Sequence, residues 1–447
     1  MTVVENRYLA GNFGPVQDEV TAFDLPVHGE LPAELDGRFI RNGPNPVGDV
    51  DPAKYHWFSG NGMIHGLRLR DGKAEWFRNR FVRGQATYEQ LGESAPEDPF
   101  GGERTLGAPN TNVIGHAGQT LAIVEGGSVP IALTDELDTV GYHDFGGTLP
   151  YSFSAHPHRD PVSGALHTVA YWWGWGNQVQ YVRVAADGTV DRVVDVPTTG
   201  SPMVHDMAFT DRYILILDLP TAFDLDAAKA GSRFPYTWQD DYPARVGLLP
   251  RDGGADDVVW VDIDPCYVFH PLNAYDDADG NVVLDAVRHP KMFASKKLGP
   301  DEGKPVLARW TLDPRTGRSS EFTISDRLQE FPRQNEELFG KYNRYGYVVG
   351  SGENRAPDAL MKHDLETGET LTHERDGVRH LEGVFIPREG AAAEDDGWIM
   401  AYAYDGATDS GEVVVIDAQD FTAPPVARVE LPQRVPFGFH GNWVPTA

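Results

Sequence analysis

One cysteine in 447 residues, Cys266, excludes a disulfide framework and is compatible with a reducing compartment. Basic residues are few: 38 Lys and Arg stand against 67 Asp and Glu, a net charge of −29 at pH 7. That field repels phosphate backbones and anionic headgroups, so no nucleic-acid partner is expected. The acids are scattered rather than blocked, which reads as solubility and not as an acidic tail. No run approaches the ~18–20 apolar residues needed to cross a bilayer. The opening MTVVENRYLAGNFGPVQDEV has no basic stretch leading into an apolar one, so no signal peptide is expected. The expectation is a cytoplasmic protein that touches a membrane surface at most weakly, through an apolar patch. Helical periodicity is also scarce; only Asp224–Ala230 and Asp358–Lys362 suggest short helical turns.

What remains is a chain of short β-type runs. Thr120–Val124, Leu166–Tyr171, Tyr213–Leu217, Val258–Val261, Val282–Ala286, Trp398–Tyr402 and Glu412–Ile416 are rich in branched and aromatic residues. Turn signals such as Asp71-Gly72, Asp187-Gly188, Asp279-Gly280 and Thr367-Gly368 separate such runs, and 48 Gly and 33 Pro supply many tight connections. An all-β chain this long exceeds the ~250–300 residues at which one simple core stops growing. A β-propeller is the natural closure, because radial repetition leaves few exposed edges. Blades of ~40–50 residues leave room for long loops and short helices capping one face. Periodicity alone does not set the blade number. Nothing resembles a linker, so residues 1–447 read as one domain, with about 1–30 an N-terminal extension packed on the propeller.

An isolated histidine is more often a hydrogen-bonding residue of the core or surface than a ligand. Four of the fifteen have a more suggestive setting: His156 in SAHPH, His205 in PMVHDMAF, His270 in YVFHPLNAY and His440 in FGFHGNWV. They lie too far apart for a helical HExxH site or a zinc finger, and suit ligands gathered from separate blades at the propeller axis. His156 and His270 precede prolines, which favour extended backbone. Metal-bound imidazoles usually donate their other N–H to a carboxylate or carbonyl. Glu125 after TLAIV, Glu330 opening EFPR and Glu382 in LEGVFIP are acids in apolar settings. Read on their own, each is as readily a strand-end acid facing solvent.

At these residues the chain resembles the carotenoid cleavage oxygenases, a family with apocarotenoid-cleaving, stilbene-cleaving and retinoid-isomerising members. The likeness begins with GRFIRNGPNP (Gly37–Pro46), HWFSGNGMIHGLRL (His56–Leu69) and NRFVR (Asn79–Arg83). It continues through NTNVIGHAG, SAHPHRDPVSG, MVHDMAFT and VFHPLNAY, and ends with EFPR, LEGVFIP and GFHGNW, in order. It implies a seven-bladed propeller with one iron(II) per chain held by His156, His205, His270 and His440. It also implies that Glu125, Glu330 and Glu382 orient His205, His270 and His440, with no carboxylate for His156. His65 and His158 are not ligands on this pattern. The implied reaction is cleavage of a C=C bond with O2 into two carbonyl products, the metal activating O2 and the protein orienting the substrate and excluding water. No side-chain nucleophile or base is required.

The substrate is expected to be an apolar small molecule reaching the metal along a wall that includes Val124, Phe153, Met203, Phe269 and Phe331. Trp172, Trp173 and Trp175 are expected in core packing instead. Stilbene-cleaving members commonly carry a lysine directly before the glutamate that stands at 125. Val124 offers no such handle, which favours a polyene. The stretch Tyr88–Phe100, about where an entrance loop falls, has little apolar surface, which favours shorter apocarotenoids over full-length carotenoids. Cleavage of stilbenoids is the alternative function, and a non-catalytic binding platform the alternative of another class. No feature of the sequence indicates an oligomeric state.

Overall fold

The computed structural model describes residues 5–446 apart from 103, 106, 233 and 353–355. Each β-type run pairs with the next one along the chain in antiparallel register, and the pairs group into seven radial sheets. The second to sixth are four-stranded and begin, from the axis outward, with Asn112–His116, His158–Arg159, Ala208–Phe209, Tyr267–Asp276 and Gln329–Arg333. The seventh begins with Val378–Pro387 and gains Val27–Gly29 at its outer edge. The first is closed by both ends of the chain: Gly441–Pro445 pairs with Gly37–Pro44 as its innermost strand, and Thr21–Phe23 adds to its outer edge on Lys73–Phe81. This closure removes the free inner edge that an open array would expose.

The apolar core is divided among the spaces between neighbouring sheets, as radial packing requires. The N-terminal segment packs on the propeller: Tyr8 stacks on Trp57 at 5.1 Å and Phe13 meets Phe437 at 5.0 Å. Residues 1–4 of that segment lie outside the described residues. One face carries a cap that includes the helix Gln85–Leu91 and the hairpin of Thr221–Phe223 with Tyr236–Trp238. The helical turn expected at Asp224–Ala230 is the helix Leu225–Lys229, capped by Asp224, whose carboxylate accepts from the Asp226 and Ala227 amides. The turn expected at Asp358–Lys362 is instead part of a strand, Pro357–Asp364. Ala359, Leu360 and Met361 favour a helix locally, but burial between the strands Tyr345–Ser351 and Thr370–His373 overrides that preference. Among the described residues no helix is long and apolar enough to cross a membrane.

Candidate metal centre

Every blade contributes one charged or ligating side chain to the axis. His440 enters just before the inner strand of the first sheet, His156 and His205 just before those of the third and fourth, and His270 lies within that of the fifth. The second sheet supplies Glu125 from the turn after Gln119–Ile123, and the inner strands of the sixth and seventh supply Glu330 and Glu382. Residues spread along the chain from Glu125 to His440 thus meet because each blade brings one of them to the axis.

The four imidazoles are buried, and one ring nitrogen of each lies within 4.8 Å of the others'. Three rings are aimed from behind. His205 Nδ1 is 2.9 Å from both oxygens of Glu125, His270 Nδ1 is 2.6 Å from Glu330 Oε2, and His440 Nδ1 is 2.9 Å from Glu382 Oε1. With Nδ1–H donated outward, Nε2 keeps its lone pair toward the centre, where the Nε2 atoms of His205 and His270 stand 3.3 Å apart. His156 Nε2 is buried and has no hydrogen-bond partner. Burial, reinforced by the other three rings, holds His156 well below the usual histidine range. Burial lowers His440 to about 4 despite the opposing pull of Glu382. Converging imidazole nitrogens, one of them buried and without a partner, fit a transition-metal ion, and imidazole donors suit iron, zinc, copper or nickel.

The acids are themselves held by further groups, and sequence reasoning assigned none of them this role. Glu330 Oε1 accepts from His289 Nε2 at 2.8 Å, and Oε2 accepts from the Phe331 amide at 2.5 Å. Burial pushes the Glu330 carboxyl up, but His270 and His289 outweigh it and keep it below the usual range. Glu382 accepts from Arg333 Nη1 at 3.3 Å and from the Gly441 amide at 2.9 Å. Burial opposes its ionisation; His440 and Arg333 prevail and bring it to about 2. The Tyr171 hydroxyl donates to Glu125. His156 has no carboxylate at hydrogen-bond distance: Asp206 Oδ2 is 3.8 Å from its Nδ1, and Asp206 Oδ1 is taken by His158 Nε2 at 2.7 Å. Of these partners His289 and Tyr171 lay outside the quoted motifs, whereas Phe331, Arg333, Gly441, His158 and Asp206 lay inside them. Glu125→Gln is expected to leave the protein folded and to lower turnover by about 10–100-fold, because the amide can present only one oxygen to His205. Unchanged kinetics would remove Glu125 from the centre.

Above the histidines lies a cavity of about 570 Å³, within the range of small-molecule sites. His205, His270 and His440 form its floor, and Trp57, Phe58, Phe234, Tyr236, Phe269, Phe331, Phe437 and Phe439 line much of its wall. Val124 lies in the wall beside Glu125. Phe331 adopts a left-handed backbone (φ 55°), unusual for a bulky residue, where the pairing of its strand slips between Glu330 and Arg333. The irregularity lets Glu330 reach His270 while the Phe331 ring stacks on the same imidazole at 5.3 Å. Such strain persists only where surrounding contacts hold it, and it concentrates at functional sites.

Phe153 and Met203 do not line this cavity. Phe153 packs on Phe145 at 5.0 Å, and Met203 lies in the core shared by the third to fifth sheets. Of the three tryptophans expected in packing, Trp172 and Trp175 are half-buried against Tyr151, at 5.1 and 5.4 Å, and Trp173 departs from the expectation. The Trp173–Trp175 turn is not core: Trp173 is 49% exposed, stacks on Phe223 at 5.2 Å and borders the cavity. Glycines at 174 and 176 hold that turn out from the sheet, Gly176 with φ 74°. The helix Gln85–Leu91 contributes Ala86 and Gln90 to the cavity, so the start of the expected entrance loop does border it.

The chain matches the retinal pigment epithelial membrane protein family over residues 13–445. It is 45% identical to a Mycobacterium tuberculosis protein named carotenoid cleavage oxygenase, over 99% of this chain and 98% of that one. It is 32% identical to carotenoid 9,10(9',10')-cleavage dioxygenase 1 of Arabidopsis thaliana, over 98% of this chain and 90% of the other. Among solved structures, lignostilbene dioxygenase of Pseudomonas brassicacearum superposes with a TM-score of 0.88 at 27% identity, covering both chains fully. Cobalt-substituted apocarotenoid oxygenase of Synechocystis gives 0.87 at 27% identity over 97% of each chain. The propeller, the four convergent histidines and these likenesses agree: the chain belongs to the carotenoid cleavage oxygenase family and is an oxygenase.

Proposed function

We propose that this protein is a non-haem iron(II) dioxygenase that cleaves one C=C bond of a carotenoid or apocarotenoid with O2, giving two carbonyl products. The observation that carries the reading is the cluster of four imidazoles forming the floor of an aromatic cavity. His156, His205, His270 and His440 would hold the iron, with Glu125, Glu330 and Glu382 fixing the tautomers of the last three. Iron so held supplies the activation of O2 toward an electron-rich double bond. The reaction balances without another reductant: the C=C and O–O bonds break and two C=O bonds form. The protein's own part is to bind, orient and keep dry. Phe331 and Phe269 flank His270 and His205, at 5.3 and 5.0 Å, and present ring faces and edges to an extended apolar chain. The buried acids return negative charge toward the centre without taking a coordination position. The whole chain acts as one domain, and its buried, unpaired Cys266 suits the cytoplasm.

A stilbenoid substrate is the second reading, favoured by the superposition on a lignostilbene dioxygenase and by 31% identity to resveratrol cleavage oxygenase 1 of Aspergillus fumigatus. Val124 argues for the polyene. At the cavity wall beside Glu125 it offers no charge or hydrogen bond to a phenol. Iron(II)-loaded protein incubated in air with an apocarotenal and with 4-hydroxystilbene should yield aldehydes from the polyene. Aldehydes from the stilbene alone would overturn the substrate assignment. Val124→Lys is expected to shift kcat/KM toward the hydroxystilbene by about 10-fold, roughly the worth of one new polar contact. No shift would mean that this wall position does not select the substrate.

A further inference from the structure

The aromatic cavity is bordered by two cations, Arg7 and Arg41, in very different states. Arg7 is partly exposed and pairs with Asp301 at 3.1 Å. Arg41 is 3% exposed, and among the described residues no carboxylate forms an ion pair with it. Its guanidinium makes a single hydrogen bond, from Nη1 to the Pro436 carbonyl at 3.1 Å. Nε is buried without a partner, and the donors of Nη2 are unclaimed. The tip of the side chain lies at the cavity wall: Phe437 and Gly438 line the cavity directly after Pro436, and a Cβ added at Gly438 would lie 3.5 Å from Nη1. Burial lowers Arg41 to about 10 against the pull of Glu382 and Tyr402, so it stays a cation at neutral pH. Glu382 does not neutralise it at close range, being engaged by His440, Arg333 and the Gly441 amide. A buried charge without a partner is strongly unfavourable, so this one calls for a counter-charge from the cavity.

We propose that Arg41 binds the oxygen-bearing end of the substrate and that the end group it fits best is a carboxylate, so that the cavity takes a polyene acid in preference to a neutral polyene. The proposal rests on the cavity being the polyene site. A carboxylate supplies the missing negative charge, and the planar fork of the guanidinium offers donors to both of its oxygens. An aldehyde oxygen accepts a hydrogen bond but brings no charge, and a hydrocarbon end does neither. Phenyl faces along the wall let a polyene slide, whereas a single polar anchor fixes its register. Arg41 is well placed for this: it stands opposite Gly441 in the pairing of Gly37–Pro44 with Gly441–Pro445, one residue after His440. One rigid sheet thus carries both the anchor and a member of the histidine cluster, and the double bond presented to that cluster is counted from the oxygen end.

The test is binding in the absence of O2, so that nothing is cleaved, read by quenching of tryptophan fluorescence in iron(II)-loaded protein. The ligands are a polyene acid, its methyl ester and the aldehyde of the same chain length. The acid should bind about 10–100-fold more tightly than the ester, the scale of a charge-assisted contact, with the aldehyde between them. Arg41→Met keeps the length of the side chain and removes an unpaired buried charge, so it should fold, and it should bring acid and ester to within about twofold. Arg41→Lys, which has the charge without the fork, should keep part of the preference. Equal binding of acid and ester by the unaltered protein overturns the role of Arg41, and that comparison decides even where a variant does not fold. A preference for the acid that survives in folded Arg41→Met overturns it as well. Failure of all three polyenes to bind overturns the polyene reading of the cavity, and this inference with it.

Discussion

Replacing His440 with alanine is expected to abolish metal retention and to lower turnover by on the order of a thousandfold or more. An imidazole ligand that is lost takes with it several kcal/mol of stabilisation that the metal centre gives the transition state. The fold should survive, because the acid behind the ring keeps other partners. Glu382 still accepts from Arg333 and from the Gly441 amide, so no buried carboxylate is stranded. The measurement is metal content by elemental analysis beside a thermal melt. Iron near one per chain in the wild type and far below that in a folded His440→Ala protein is the expected pair of values. Full occupancy and full turnover in the variant would remove His440 from the ligand set.

Glu330→Gln is expected to have the next largest effect, a fall of about 10–100-fold in metal affinity with a matching loss of turnover. Glu330 serves two imidazoles at once: Oε2 accepts from His270 and Oε1 from His289. A carboxylate can do this because both oxygens accept, whereas an amide must turn its NH2 toward one of the two rings. If the amide oxygen faces His270, His289 must carry its proton on Nδ1, which is buried and has no partner. If it faces His289, the tautomer of His270 is no longer enforced. Either arrangement weakens His270 as a donor, and the lost negative charge weakens it further. Metal titration of the stripped variant checks this, and an affinity equal to wild type would show that Glu330 is only a structural acid.

The architecture was legible where short apolar runs met turn signals. Leu166–Tyr171 and the runs beginning at Tyr213 and Val282 are strands, and seven sheets follow from pairing neighbours along the chain. Local pattern failed at 358–362, where a helix-prone stretch is buried between two strands and tertiary packing decides. The four histidines and three acids could be nominated because apolar neighbours made polar residues conspicuous. Their convergence could not be derived from spacing, since it depends on blade geometry and not on distance along the chain. The layer behind the acids was hidden for a related reason: His289 and Tyr171 end the second strands of their blades and look like ordinary core residues until the sheets are placed side by side.

The cavity wall shows the same limit. Nearness to a ligand in sequence picked out Val124, Phe269 and Phe331, which border the cavity, but equally Phe153 and Met203, which are absorbed by packing between sheets. Trp57 and Phe58 come from a short 3-10 helix and Phe234, Phe437 and Phe439 from loops remote from it in sequence, and only the closed ring gathers them. An irregularity such as that at Phe331, which aims two consecutive side chains at the axis, leaves no mark in composition or periodicity.

The most direct test of the account is to supply 18O2 to iron(II)-loaded protein with an apocarotenal, reducing the products at once to halt oxygen exchange with water. Two alcohols on analysis by mass spectrometry, each carrying one 18O atom and together accounting for every carbon of the substrate, are the predicted result, with none from metal-stripped protein. Cleavage products whose new oxygens come from water, or equal cleavage without metal, would contradict it.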